Sequence, residues 1–276
     1  MQRKLIAIDL DGTTLNRQSQ ISDRTKQVLQ QAVAAGHIVS IVTGRPYRIS
    51  KQYYDQLGLK SAMINFNGSL GHLPHQEWAK EYQYTIDRDV ALDLLAHQQA
   101  LGIETIAAEN KNHVWANHGS DGTIDFFPTV VAHDQLLNSD NLTSDPTALT
   151  VYFDESHRDQ LIGDLTKRYG DHLDMNVWGG SWPVLELAHK GIEKATGVDF
   201  LAKTYQIDRS DIIAFGDEGN DRAMIDYAGW GVVMQNGIDS LKQMGQDVTA
   251  LDNDHNGLAE YLSDYLELPQ ALAKAE

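Results

Sequence analysis

Five short apolar runs, set apart by amphipathic stretches, leave this chain few ways to fold. Leu5 to Leu10, Ile38 to Val42 and Ala62 to Phe66 open it, and Ile212 to Phe215 and Gly231 to Met234 close it. Runs of this length, apolar on both faces and bounded by turn residues, read as buried strands of a parallel sheet. The stretches between them carry helical signals. Ser22 starts a helix whose stripe is Val28, Leu29, Ala32 and Val33 and whose end is Gly36. Further helices follow Pro46, run up to Tyr205, span Asp221 to Ala228 and close the chain near Leu258 to Leu266. Strand and helix alternate, so the expected class is α/β, a doubly wound, Rossmann-like parallel sheet covered on both faces.

The alternation stops between about Tyr82 and Lys190. Amphipathic helices around Leu92 to Leu101 and Leu161 to Tyr169 are mixed there with strand-like pieces at Thr150 to Phe153 and Val184 to Leu187. This reads as an inserted α+β domain. The expected division is a core of residues 1–82 and 191–276, carrying a smaller cap of residues 83–190, which suits a chain of 276 residues. The tail after Pro269 is expected to fray.

Composition narrows the function. The 22 Lys and Arg against 39 Asp and Glu give a net charge of −17, which disfavours nucleic acid and anionic membrane as partners. With no cysteine, thiolate nucleophiles and thiolate metal sites are excluded. No apolar run approaches the roughly 20 residues that cross a bilayer, and Asp9 and Asp11 interrupt the first run before it can serve as a signal core. A cytoplasmic location is expected. An acidic surface repels phosphate esters, so a site for one must reverse the field locally with a metal ion and a cation or two.

The polar residues that end the strands supply such a site. In an open α/β sheet, ligands bind beyond the carboxyl ends of the strands, and three strands end in Asp9 with Asp11, Thr43 with Gly44, and Asp217 with Glu218. Asp9 and Asp11 are two apart, the strand period that sends both carboxylates to one side. Aspartate is ionised at neutral pH and needs no base to act as a nucleophile, only relief from repulsion by phosphoryl oxygens. Mg2+ takes about six oxygen ligands and keeps several waters. Asp9 and Asp217 are read as its side-chain ligands and Asp11 as a carbonyl donor. The Asp11 carboxyl is then free to protonate a leaving oxygen and later to activate water. Thr43, the backbone amides beside it at Gly44, and one lysine are expected to hold the equatorial phosphoryl oxygens.

Asp9-Leu10-Asp11-Gly12-Thr13, Thr43-Gly44-Arg45-Pro46-Tyr47, Asn67-Gly68-Ser69, a lysine before the penultimate helices and Gly216-Asp217-Glu218-Gly219-Asn220-Asp221 occur in one order along the chain. That order resembles the haloacid dehalogenase-like superfamily, and within it the Cof-type sugar-phosphatase branch. The resemblance implies Asp9 as nucleophile, Asp11 as acid and base, Thr43 and a lysine on phosphate, Asp217 on magnesium, and Asn220 and Asp221 supporting the site. Two lysines compete for the role. Lys190 is followed by Gly191, the pairing usual in the family, but register on Leu185-Glu186-Leu187 and on Gly216-Asp217 selects Lys194. Thr14 departs from the branch, where leucine is common.

Plainer roles are assigned elsewhere. Arg45 is read as bracing its loop, Asn67 as a turn residue, His72 and His75 as solvated loop residues, and Trp178 and Trp182 as packing within the cap. The expected activity is hydrolysis of a small phosphorylated metabolite, sugar phosphates first, through an aspartyl-phosphate. A phosphomutase of the same superfamily is the alternative enzyme, and a noncatalytic, receiver-like Mg2+-binding module the alternative of another class. A cap of about a hundred residues after the third strand favours hydrolysis.

Overall fold

The computed structural model describes residues 2–177 and 183–269. In chain order the elements are β1 (Leu5–Ile8), α1 (Asp23–Ala34), β2 (Ile38–Ile41), α2 (Tyr47–Leu57), β3 (Met63–Asn65), β4 (Leu70–His72), β5 (Tyr82–Gln83), α3 (Arg88–His97), β6 (Ile103–Glu109), β7 (Val114–Ala116), β8 (Ala148–Phe153), α4 (Arg158–Tyr169), β9 (Leu173–Val177) and β10 (Val184–His189). They continue with α5 (Lys194–Tyr205), β11 (Ile212–Gly216), α6 (Arg222–Tyr227), β12 (Trp230–Val233), α7 (Asp239–Lys242), β13 (Asp247–Val248) and α8 (Gly257–Tyr265). The chain forms two compact units: Met1–Gly44, Lys51–Glu81 and Glu193–Glu276 make the first, and Arg45–Ser50 and Tyr82–Ile192 the second.

The first unit is a doubly wound α/β fold. Its sheet has the order β13-β12-β11-β1-β2 with all neighbours parallel, and a bridge from Val42 to Ile64 continues the parallel pairing towards β3. All four residues of β1 are fully buried. Leu5 and Ala7 pack with Val198, Leu201 and Met224 of α5 and α6, while α1 and α8 pack together. Ser22 caps α1 by accepting from the Thr25 amide at 3.0 Å, and Gly36 ends it at φ +94°. The order of strands reverses direction between β1 and β11, so the crevice at their carboxyl ends is the switch point where such sheets bind ligands. Register places Ile8 beside Phe215, which sets Asp9 next to Gly216.

The second unit is an antiparallel sheet of order β7-β6-β8-β10-β9. One face carries Leu149, Val151, Phe153, Leu185 and Leu187, packed with Leu94, Leu161 and Leu165 of α3 and α4. Phe127 and Val184 lie in a smaller cluster on the other face. Arg48, at the start of α2, forms a bidentate ion pair with the buried Glu109 at 2.9 and 3.1 Å.

Several expectations need correction. The helix placed at Leu92 to Leu101 starts earlier, at Arg88, because Asp87 caps it by accepting from the Asp89 amide. Leu101 lies in the turn that leads into β6. His72 is not solvated: it is the last residue of β4, fully buried, and its Nε2 shares a 2.9 Å hydrogen bond with Asn65 Oδ1. His75 is exposed and pairs with Asp55 at 2.6 Å. Trp178, Trp182 and the tail beyond Pro269 lie outside the described residues.

Candidate active site

The strand β1 ends at Ile8, one residue before the first candidate aspartate. Residues Leu10–Thr14 form a tight turn closed by the Leu15 amide donating to the Leu10 carbonyl at 2.8 Å. The two-residue period of a strand therefore does not apply between Asp9 and Asp11, and the turn sets their directions instead. Asp9 is buried and Asp11 exposed. Thr14, the departure from the family pattern, donates from Oγ1 to the Asp9 carbonyl at 2.5 Å and holds the turn against the strand end.

Gly12 shows how closely this turn meets the end of β11. It sits at φ +68°, and a Cβ there would lie 2.0 Å from Asp217 Oδ2. Thr13 Oγ1 donates to Asp217 Oδ1 at 2.9 Å, and Asn236 Nδ2 donates to the Gly12 carbonyl at 2.8 Å. Sequence reasoning assigned no role to Thr13, Thr14 or Asn236. The signal for Thr13 was inside the Asp-Gly-Thr motif. The other two gave none that one chain alone reveals.

Lys194 opens α5 and is fully buried. Its Nζ donates to Asp9 Oδ1 at 2.7 Å and to Asp221 Oδ1 at 2.6 Å. Lys190 is half exposed and pairs with Asp174 at 2.9 Å in the other unit. Asp221 is fully buried too, and its Oδ2 accepts from the Asp217 and Glu218 amides at 2.9 and 3.1 Å. Both of its oxygens are thus occupied by donors, which suits a residue that aims Lys194 and shapes the Asp217 loop. Thr43 is fully buried at the end of β2, with its amide donating to the Ile64 carbonyl at 3.0 Å. Asn220 is exposed, and its Nδ2 donates to Asn67 Oδ1 at 3.0 Å.

Asp9, Asp217 and Asp221 each bring a carboxylate oxygen to a spot where these atoms lie within 4.8 Å of one another. Burial is the largest cause that raises the Asp9 carboxyl well above the usual range. The charges of Asp221, Asp217 and Asp11 add to the rise, while Lys194 opposes it. Burial first, then Asp221, pushes Asp217 up to about 7. Burial works against the Lys194 ammonium, but Asp221 and Asp9 outweigh it and raise its pKa. Three buried carboxylates against one ammonium leave an excess of negative charge in a dry place, which is costly unless a cation joins it. An all-oxygen donor set fits Mg2+.

The sequence matches the haloacid dehalogenase-like hydrolases over residues 6–262. The chain belongs to that family, in its Cof-type branch. It is 35% identical over 267 residues to the 5-amino-6-(5-phospho-D-ribitylamino)uracil phosphatase YitU of Bacillus subtilis, with 96% of this chain and 98% of that protein covered. Phosphatase YwpJ of the same organism is 28% identical over 291 residues, covering 95% of this chain and all of its own. Among solved structures, a haloacid dehalogenase-like hydrolase from Bacteroides thetaiotaomicron superposes with a TM-score of 0.83 at 24% identity, covering 96% of this chain and 100% of that one. Among the described residues, no helix is long and apolar enough to cross a membrane.

Proposed function

We propose that this protein is a Mg2+-dependent phosphatase that removes the phosphoryl group from a small phosphorylated metabolite by way of an aspartyl-phosphate on Asp9. The observation that carries the reading is the buried constellation of Asp9, Lys194, Asp221 and Asp217 at the switch point of the sheet. Family membership and the phosphatase relatives support it.

Asp9 and Asp217, with the Asp11 carbonyl, would hold the metal. When bound, Mg2+ offsets the charge of the phosphoryl oxygens and of the carboxylates that meet them. An Asp9 carboxylate oxygen attacks phosphorus, and the P–O bond to the leaving group breaks. Asp11, exposed and one turn beyond, gives its proton to the leaving oxygen and afterwards takes one from the water that opens the acyl phosphate. Lys194 neutralises charge shared between Asp9 and the transferring group, and Asp221 fixes its ammonium. Thr43, the Gly44 amide and Asn220 hold the remaining phosphoryl oxygens. The second unit serves as the cap that chooses the ester. The domain limits expected from sequence, 83–190 for the cap, are part of this reading.

Sugar phosphates and the phosphorylated ribitylaminouracil handled by YitU are the first esters to offer, the latter because that relative covers nearly all of both chains. The test is release of inorganic phosphate from p-nitrophenyl phosphate and from a panel of such metabolites, with Mg2+ and with chelator. Turnover only with Mg2+, and a preferred ester exceeding the generic one in kcat/KM, is the expected result. Absence of turnover on every ester would sink the reading, and turnover that depends on an added sugar bisphosphate would indicate a mutase.

A further inference from the structure

We propose that Asn67 is a positioning residue that locks together the two segments assigned to phosphate binding, Thr43-Gly44 and Asn220, an inference that rests on the phosphatase reading. The backbone around it is the first clue. Phe66, Asn67 and Gly68 stand in succession at φ +51°, +52° and +107°. Asparagine and glycine tolerate that region, but phenylalanine does so at a cost, and such strain persists only where the surroundings fix it.

The side chain gives the turn a purpose. The Asn67 backbone N–H donates to the Thr43 carbonyl at 3.1 Å, a bond that any residue but proline would make here. Its side-chain carboxamide lies against Gly44, where a Cβ would fall 3.0 Å from Oδ1 and 3.1 Å from Nδ2. A side chain at position 44 would therefore press on the Asn67 carboxamide, which would have to shift to make room, whereas Gly44 has no left-handed φ of its own. The same Oδ1 accepts from Asn220 Nδ2 at 3.0 Å. Asn220 is exposed and 153 residues away in sequence, and without that acceptor its side chain has no fixed direction. One carboxamide therefore sets the spacing of two arms that come from opposite ends of the chain, before any phosphate arrives.

A turn residue and a positioning residue respond differently to glycine. Asn67→Gly keeps, and even eases, the left-handed backbone while removing the carboxamide. The expected result is an unchanged melting temperature and unchanged Mg2+ binding, with kcat/KM for p-nitrophenyl phosphate down about tenfold, the scale of one lost hydrogen bond. The affinity for inorganic phosphate in the presence of Mg2+, measured by calorimetry, should fall by a similar factor. Asn220→Ala should give a comparable loss, and the double variant should lose little more than either single one. Wild-type kinetics and phosphate affinity in Asn67→Gly would overturn the proposal, as would strictly multiplicative losses in the double variant. A wild-type protein that neither turns over esters nor binds phosphate would instead overturn the phosphatase reading itself, and this proposal with it.

Discussion

At the scale of single residues, charge placement decides what each substitution does. Asp9→Asn keeps the shape of the buried site and one oxygen for a metal, yet an amide does not attack phosphorus. Loss of several orders of magnitude in kcat with an intact fold is expected, and a tenth of the activity surviving in a clean preparation would mean another nucleophile. Lys194→Ala removes the ammonium between two buried carboxylates. It should cost about a hundredfold or more in kcat/KM on every substrate, and about 3–5 kcal/mol of stability read by denaturant titration. Lys190→Ala, on a half-exposed surface pair, should change stability by less than about 1 kcal/mol and leave the generic ester nearly untouched. Asp217 adds a pH dependence. Its carboxyl titrates at about 7 in the folded chain against about 3.9 when unfolded. Between those values the folded state holds a proton that the unfolded state has lost, so stability of the metal-free protein falls as pH rises through that window. A cation competes for the ionised carboxylate, so the Mg2+-induced rise in Tm should be larger near about pH 8 than near about pH 5.5. Equal rises would show that the metal binds elsewhere.

At the scale of elements, the contacts of the turn Leu10–Thr14 matter more than its own conformation. Gly12 and Gly36 both have positive φ, but a methyl group meets Asp217 at Gly12 and nothing within 4 Å at Gly36. Gly36→Ala should therefore cost only roughly 1–2 kcal/mol in Tm-derived stability with full activity, whereas Gly12→Ala should abolish both turnover and Mg2+ binding. The same contrast explains what the sequence revealed. Strands β1, β2 and β11 were legible because burial on both faces writes a continuous apolar run, and their polar ends marked the site. The direction of Asp11 was not, because the strand stops at Ile8 and the turn obeys no period. β6 was missed because Ile103-Glu104-Thr105-Ile106-Ala107-Ala108-Glu109 breaks alternation after Thr105 and ends in Ala, Ala and Glu, residues depleted in strands. The burial of His72 depends on a partner, Asn65, that only the β3–β4 pairing brings to it.

At the scale of the whole molecule, the two units have separate apolar clusters, one around β1 and β11 and one around β8 and β10. Glu109 is almost wholly desolvated, which raises its carboxyl despite Arg48. Arg48→Ala leaves that acid without its bidentate partner and should lower the stability of the second unit by about 3–5 kcal/mol. Calorimetry should then show a separated low-temperature transition, while a single shifted peak would mean the clusters melt as one. The strand order has a further consequence, for synthesis. β1 leaves the ribosome well before β11, its neighbour on one side, which follows about 200 residues later. At about 5–20 residues per second, β1 waits some ten to forty seconds with one edge unpaired and apolar. A nascent chain that stalls before Ile212 therefore carries a sticky edge and no catalytic power, and handing such fragments to chaperones or proteases matters more for this protein than for one whose site is closed by neighbouring segments.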